Sequence, residues 1–208
     1  MNIEQQIARD LLTIKAVTLS TNEPFQWVSG IKAPIYTDNR LTIGYPDVRM
    51  HISCGLARLI VEKFPNVSAI GGVVTAGIPH ATSVADRLGL PLCYIRSEPK
   101  DHGKGKQIEG HLAKDAKIVL IDDLISTGGS VLKAAQALKQ AGYEVLGVAA
   151  IFSYELPSGN KNFTEAGLPL ATLTNYSTLI EEAQKEKILT PEEKKELLTW
   201  REDPWSWG

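Results

Sequence analysis

The chain has 208 residues, with 22 Lys plus Arg against 24 Asp plus Glu and a formal net charge of −2; this balance excludes a strongly basic nucleic-acid binder and an acidic disordered tail. Hydrophobic residues make up 43% and charged residues 22%, ordinary globular usage that disfavours disorder, collagen and coiled coil and allows one largish domain with its own core. Cys54 and Cys93 stand outside any Cys/His cluster and predict two buried reduced thiols, not a disulfide framework or a zinc site. The first ten residues lack an apolar leader, and no run of about 18 apolar residues occurs, so a soluble cytoplasmic protein is expected.

Ile3, Ile7 and Leu11 recur at helical spacing and predict an amphipathic covering helix. Residues 24–39, with Phe25, Trp27, Val28, Ile31 and Tyr36, read as strand, turn and strand ending in the polar corner Asp38-Asn39-Arg40. Over 47–64, Val48, Ile52, Leu56 and Leu59 form one helical stripe that stops at Pro65. From Val67 onward short β-rich runs alternate with helical ones, the pattern of a parallel α/β sheet. Strands are expected at 69–74, 92–95, 117–121 and 145–152, and helices at 78–88 and 129–141, closed by Gly89 and Gly142. Residues 170–173 form a short apolar run. Capping-box spacing at Thr178 and Glu181, and at Thr190 and Glu193 with Pro191 between, predicts two terminal helices, the first reaching about Lys187. Trp200, Trp205 and Trp207 near the C-terminus predict a packing anchor or subunit contact in preference to a ligand-stacking surface.

The segment from Ile118 to Ser130 carries the most chemistry. An apolar strand runs into two adjacent carboxylates, Asp122 and Asp123, then through Leu124, Ile125, Ser126, Thr127, Gly128 and Gly129 to Ser130 at the head of a helix. Backbone N–H groups at a helix N-terminus, Thr and Ser hydroxyls and two glycines form an anion site suited to a phosphate. Two carboxylates would repel that phosphate, so they must face hydroxyl groups or a metal that bridges to them. A ligand with vicinal hydroxyls at one end and a phosphate at the other, such as ribose 5-phosphate, satisfies both halves. Neither the G-x-x-x-x-G-K-[ST] nucleotide loop nor the G-x-G-x-x-G fingerprint is present. An ordinary capped βα turn accounts for one Asp and one Gly but not for the whole run.

This run resembles the ribose-phosphate signature of type I phosphoribosyltransferases, which bind 5-phosphoribosyl 1-diphosphate (PRPP). The resemblance implies an α/β fold with a central, mostly parallel sheet flanked by helices and a small N-terminal hood, while leaving the acceptor base open. A single domain over 1–208 is expected, with the hood at about 1–45, the core at about 46–175 and C-terminal helices at 176–208. A second segment narrows the base. Residues 96–106 hold four Lys/Arg against two acids, and three glycines fall within 96–110; such a basic loop suits closure over a polyanion, with His102 able to change protonation near neutral pH. Its Lys100-Asp101-His102-Gly103 core resembles the catalytic loop of orotate phosphoribosyltransferases, in which the loop reaches the neighbouring subunit's site, implying a homodimer.

Further matches support that family. Ser29-Gly30-Ile31-Lys32-Ala33-Pro34-Ile35-Tyr36 resembles its base-side hood, Thr75-Ala76-Gly77 its diphosphate turn, and the whole is similar to the branch found in Gram-positive bacteria. The resemblance implies an enzyme of pyrimidine biosynthesis that joins PRPP and orotate, with Mg²⁺ held mainly through PRPP and no direct protein ligand. It assigns PRPP binding to Arg96, Lys100, His102 and residues 122–130, and catalysis to Lys100, His102 and Asp123. Relative to the enterobacterial pattern, Val28, Ala76 and Ser97 replace lysines, and Tyr154 replaces the Arg that holds the orotate carboxylate. Lys32, Arg40, Ser126 and Tyr36 are therefore the expected orotate-side residues. On these departures a phosphoribosyltransferase for another base stays open. A PRPP-sensing regulator without chemistry should carry a basic face or an added winged helix, and the chain has neither. No nucleic-acid or membrane partner is expected.

Overall fold

The computed structural model describes residues 2–27, 30–96 and 107–207. Helix α1 (Ile3–Thr13) starts at a capping box: the Asn2 side chain accepts from Gln5 N, and the Gln5 side chain accepts from Asn2 N, satisfying two otherwise orphaned N–H groups. Strands β1 (Val17–Leu19), β2 (Phe25–Gln26), β3 (Lys32–Ala33) and β4 (Ile35–Thr37) follow. β1 pairs with β4 and β2 with β3, both antiparallel. The expected strand-turn-strand over 24–39 is thus two small ribbons, with strands too short for alternation to mark their ends. A 3₁₀ turn, Asn39–Gly44, opens where the Asp38 side chain accepts from Arg40 N, and leads into α2 (Pro46–Lys63), which has proline in its first turn. Val48, Ile52 and Leu56 are buried on α2 as expected, and Ile60, more than Leu59, completes the stripe.

The core comprises β5 (Ala69–Val73), α3 (Gly77–Leu88), β6 (Leu92–Ile95), β7 (Ile108–Gly110), β8 (Lys117–Ile125), α4 (Gly129–Gln140), β9 (Glu144–Ser153), α5 (Pro157–Glu165) and β10 (Leu170–Asn175). Among the described residues the central sheet has six strands in the order β10-β9-β8-β5-β6-β7. All neighbours are parallel except the edge strand β7, which runs antiparallel to β6. The chain works outward in opposite directions from the β5/β8 pair, the switch point beyond which open α/β sheets hold their ligands. Both faces are covered. Val119 and Ile121 of β8 pack with residues of α1, α2 and α3, whereas Ile118 and Leu120 pack with Val131, Ala134 and Leu138 of α4 and Phe163 of α5. Because alternate residues enter two different cores, β8 starts as an unbroken apolar run. It also continues beyond the expected end at Ile121, pairing with β9 as far as Ile125↔Ser153. β7 and α5 occupy segments for which the sequence predicts no element.

Helices α6 (Tyr176–Lys185) and α7 (Pro191–Glu202) follow. Asn175, not Thr178, caps α6, its side chain accepting from Thr178 N at 2.9 Å. α7 starts with the expected Thr190/Glu193 box. α1 packs on α6 and β10; Arg9 Nε donates to the buried Glu182 at 2.7 Å, and Asn175 Nδ2 and Thr178 Oγ1 both donate to Glu4. Of the three C-terminal tryptophans, Trp200 is fully buried in the core, Trp207 is half-buried and packs against it, and Trp205 is 71% exposed. Cys93 is buried, but Cys54 is exposed because it lies off the buried stripe of α2. No helix among the described residues is long and apolar enough to cross a membrane.

Candidate active site

The site begins where β5 and β8 end side by side. Asp122 and Asp123 occupy the last part of β8, and the 74–76 turn leaves β5 and enters α3 next to them. A Cβ on Gly77 would collide with the Ile121 carbonyl oxygen, so glycine is what lets this turn lie against β8. The Val74–Thr75 peptide is cis. Thr37, Asp38, Asn39 and Arg40 come in from the hood. Together with Val73, Val74, Thr75, Ala76, Asp122, Asp123, Leu124 and Ser130 they line a cavity of about 320 Å³.

The charges in this cavity are unequal in their compensation. Arg40 donates from Nε to Asp38 Oδ1 at 2.6 Å and from Nη2 to Oδ2 at 2.9 Å, and this hydrogen bonding holds Asp38 below the usual carboxylate range. Burial pushes the Asp122 carboxyl up, and the neighbouring Asp123 charge adds to the shift. Burial likewise raises Asp123, although the Asp122 hydrogen bond and Arg40 oppose it. Asp123 N donates to Asp122 Oδ1 at 3.0 Å. Two adjacent carboxylates held in a poorly solvated position call for hydroxyl donors or a cation. Their hard oxygens fit a divalent ion such as Mg²⁺. Among the described residues no group of three or more His, Cys, Asp and Glu could hold a metal.

Behind the carboxylates lies a buried polar relay of which the sequence marks only Asn39, as part of a polar corner. Asn39 Nδ2 donates to Asp123 O at 2.7 Å, Thr42 Oγ1 donates to Asn39 O at 2.6 Å, and His80 Nε2 stands 3.4 Å from Thr42 Oγ1. Burial, with the nearby Arg49 charge, pushes the His80 imidazole down to about 4, so it is neutral at ordinary pH. These groups come from the 3₁₀ turn, α3 and β8, and no local spacing links them.

The second half of the motif is braced from below. Gly128, with φ +77°, caps α4 without any side-chain hydrogen bond, leaving the first helical N–H groups free of a side-chain cap. Thr127, Gly129 and Ser130 are exposed. The support is α5: Asn162 Nδ2 donates to Thr127 O at 2.9 Å, and Phe163 lies where a Gly128 Cβ would point. Ile125 faces the core, being 2% exposed, so its side chain is removed from the expected ligand contacts and only its backbone borders the loop. Ser126 and Thr127 line a second cavity of about 360 Å³ with Trp27, Ile31, Leu156 and Trp205 among others.

The remaining expected site residues are more scattered. Lys32 and Tyr36 line neither cavity; Lys32 is exposed on β3, and the Tyr36 ring sits 5.6 Å from that of Phe25. Arg40 reaches the first cavity already committed to Asp38. The Arg96 guanidinium is 5.9 Å from the Tyr94 ring centroid. Lys100 and His102 lie outside the described residues, as do Val28 and Ser97. Tyr154 is buried in an aromatic cluster, 4.7 Å from Trp27 and 5.2 Å from Phe152 by ring centroid, and borders neither cavity. A larger groove of about 520 Å³, lined by Leu59, Lys63, Phe64, Leu146 and Pro169 among others, lies by the starts of β9 and β10 and has no acidic lining residue.

Residues 51–166 match the model of the phosphoribosyl transferase domain. The orotate phosphoribosyltransferase of Levilactobacillus brevis is 62% identical over 203 residues, covering 98% of this chain and 97% of that protein. The chain belongs to the orotate phosphoribosyltransferase family. The family member from Listeria monocytogenes is 54% identical over 208 residues, the full length of both chains. Among solved structures, the family's Aeropyrum pernix member superposes with a TM-score of 0.75 at 27% identity, covering 86% of this chain and 98% of that one. Leishmania donovani UMP synthase superposes with a TM-score of 0.80 at 25% identity, covering 96% of this chain but only 42% of that longer one.

Proposed function

We propose that this enzyme transfers the ribose 5-phosphate of PRPP to N1 of orotate, giving orotidine 5′-monophosphate and diphosphate in UMP biosynthesis. The observation that carries the reading is the poorly solvated Asp122-Asp123 pair set directly before the glycine-rich head of α4, at the switch point of the sheet. Asp122 and Asp123 hold the ribose hydroxyls, residues 127–130 bind the 5′-phosphate, Thr75, Ala76 and Gly77 border the diphosphate, and Ser126 touches the base. Leu124 and Ile125 space the two halves. As the anomeric C–O bond breaks, positive charge develops on the ribose and negative charge on the departing diphosphate. Arg96, Lys100 and His102 provide cationic hydrogen-bond donors for that departing charge. Mg²⁺, when bound, neutralises charge on the diphosphate. Orotate enters as an anion, so no strong general base is required.

The compensated Arg40 and the exposed Lys32 and Tyr36 form the outer base side. The basic 96–110 segment completes the site of a partner chain in a cytoplasmic homodimer. The experiment is loss of orotate ultraviolet absorbance with PRPP and Mg²⁺, run beside uracil, hypoxanthine and adenine. Turnover of orotate alone is expected; turnover of another base in its place would reassign the acceptor.

A further inference from the structure

None of the C-terminal tryptophans lines the cavity of Asp122 and Asp123, yet α7 is tied to the hood. Trp200, fully buried, donates from Nε1 to the Lys32 carbonyl oxygen at 3.0 Å across 168 positions of sequence. Its ring meets Trp27 edge-on at 5.6 Å, and Trp27 in turn donates from its own Nε1 to Ile35 O at 3.0 Å. Two indoles thus fix two hood carbonyls on β3 and β4, one either side of Ala33 and Pro34. The next residue of α7 grips the opposite wall. Arg201 Nη1 donates to Glu155 Oε2 at 3.1 Å and Ser177 Oγ at 2.6 Å, and Ser177 donates from both N and Oγ to the same Glu155 oxygen. Glu155 has φ +54°, a conformation disfavoured for a residue with a side chain, and it precedes Leu156, which lines the second cavity.

The chain then forms a cavity wall itself. Residues 202–205 face Trp27 and Ile31 of the hood and Ser126 and Thr127 of the phosphate loop across the 360 Å³ space. Asp203 is turned back on its own segment, its Oδ1 accepting from Trp205 N at 3.3 Å.

We propose that residues 200–205 are a specificity-determining element, in which Trp200 positions the hood and Trp205 forms the outer wall of the compartment that receives a planar heteroaromatic acid. An aromatic wall suits a flat ring. Glu202 lines the same space, and its negative charge disfavours an anionic substituent of that ring on the tail side. The inference rests on Ser126 touching the base, and so on the orotate reading above.

The test uses the full-length enzyme, with KM measured separately for orotate and PRPP. Trp200→Phe keeps an aromatic ring and removes the N–H; the orotate KM is expected to rise about 5- to 10-fold, as losing one buried hydrogen bond does, with the PRPP KM within about twofold. Trp205→Ala changes a largely exposed side chain and should raise the orotate KM about 3-fold or more at unchanged melting temperature, whereas Trp205→Phe should restore it. A wild-type orotate KM in either variant, or an equal rise in both KM values, overturns the proposal. Failure of the unmodified enzyme to consume orotate would instead overturn the underlying activity.

Discussion

Asp122 and Asp123 are costly to the empty protein. Burial raises both carboxyls above the ordinary Asp value, so above about pH 4 the folded chain holds more protons than the unfolded one. Stability of the ligand-free protein therefore falls as pH rises from that value. Asp122→Asn removes the penalty. Its melting temperature is expected to exceed that of the wild type by a few degrees at about pH 8, with the difference shrinking towards about pH 4, while orotate turnover is largely lost. Melting curves at the two pH values check this; an Asn variant less stable than wild type at the higher pH would mean that the carboxylates are compensated in the empty site. Adjacent acids next to a glycine-rich turn are conspicuous in sequence because one short segment carries both halves of the chemistry. Asn39, Thr42 and His80 are not, since each is an unremarkable residue until folding places it behind Asp123.

Between elements, the 126–130 loop depends on α5. Gly128 has φ +77°, and a Cβ added there would fall 2.5 Å from Phe163 Cε2. Gly128→Ala thus meets both a backbone and a packing penalty. Destabilisation by about 1–3 kcal/mol is expected, together with a raised PRPP KM and a less affected orotate KM. Urea unfolding and steady-state kinetics measure the two effects; wild-type stability and PRPP KM would show that the loop moves away from α5 freely. The α5 sequence holds Gly159, Asn160 and Asn162, poor helix formers, so local propensity does not mark it as a helix. β8 was legible only as far as its apolar run, because Asp122 and Asp123 break the hydrophobic pattern while their backbones still pair with β9.

For the whole molecule, the basic 96–110 segment is proposed to serve a partner chain. Lys100→Ala should lower kcat by about 10²-fold or more, as loss of a preorganised charge donor does. Mixing it with inactive Asp123→Asn protein should restore part of the activity, because a hybrid dimer then holds one site with both groups intact. Absence of recovery after confirmed subunit exchange would assign the loop to its own chain's site. The ends of the described chain also close on each other: Arg9 of α1 meets Glu182 of α6, and Trp200 of α7 meets Lys32 of the hood. Contacts spanning more than 160 positions leave no trace in local spacing.

Local chemistry was enough to establish the α/β class, the strand and helix alternation from Val67 and the Thr190/Glu193 cap, because each is written within a turn or two of chain. Tertiary structure decided the rest. It separated Trp200 from Trp205 and Cys93 from Cys54, moved the α6 cap to Asn175, placed Ile125 in the core and Tyr154 in an aromatic cluster, and made the hood two ribbons held by α7. Those outcomes depend on which distant surfaces meet, and burial and hydrogen bonding across long separations are settled only when the sheet and its covering helices have assembled.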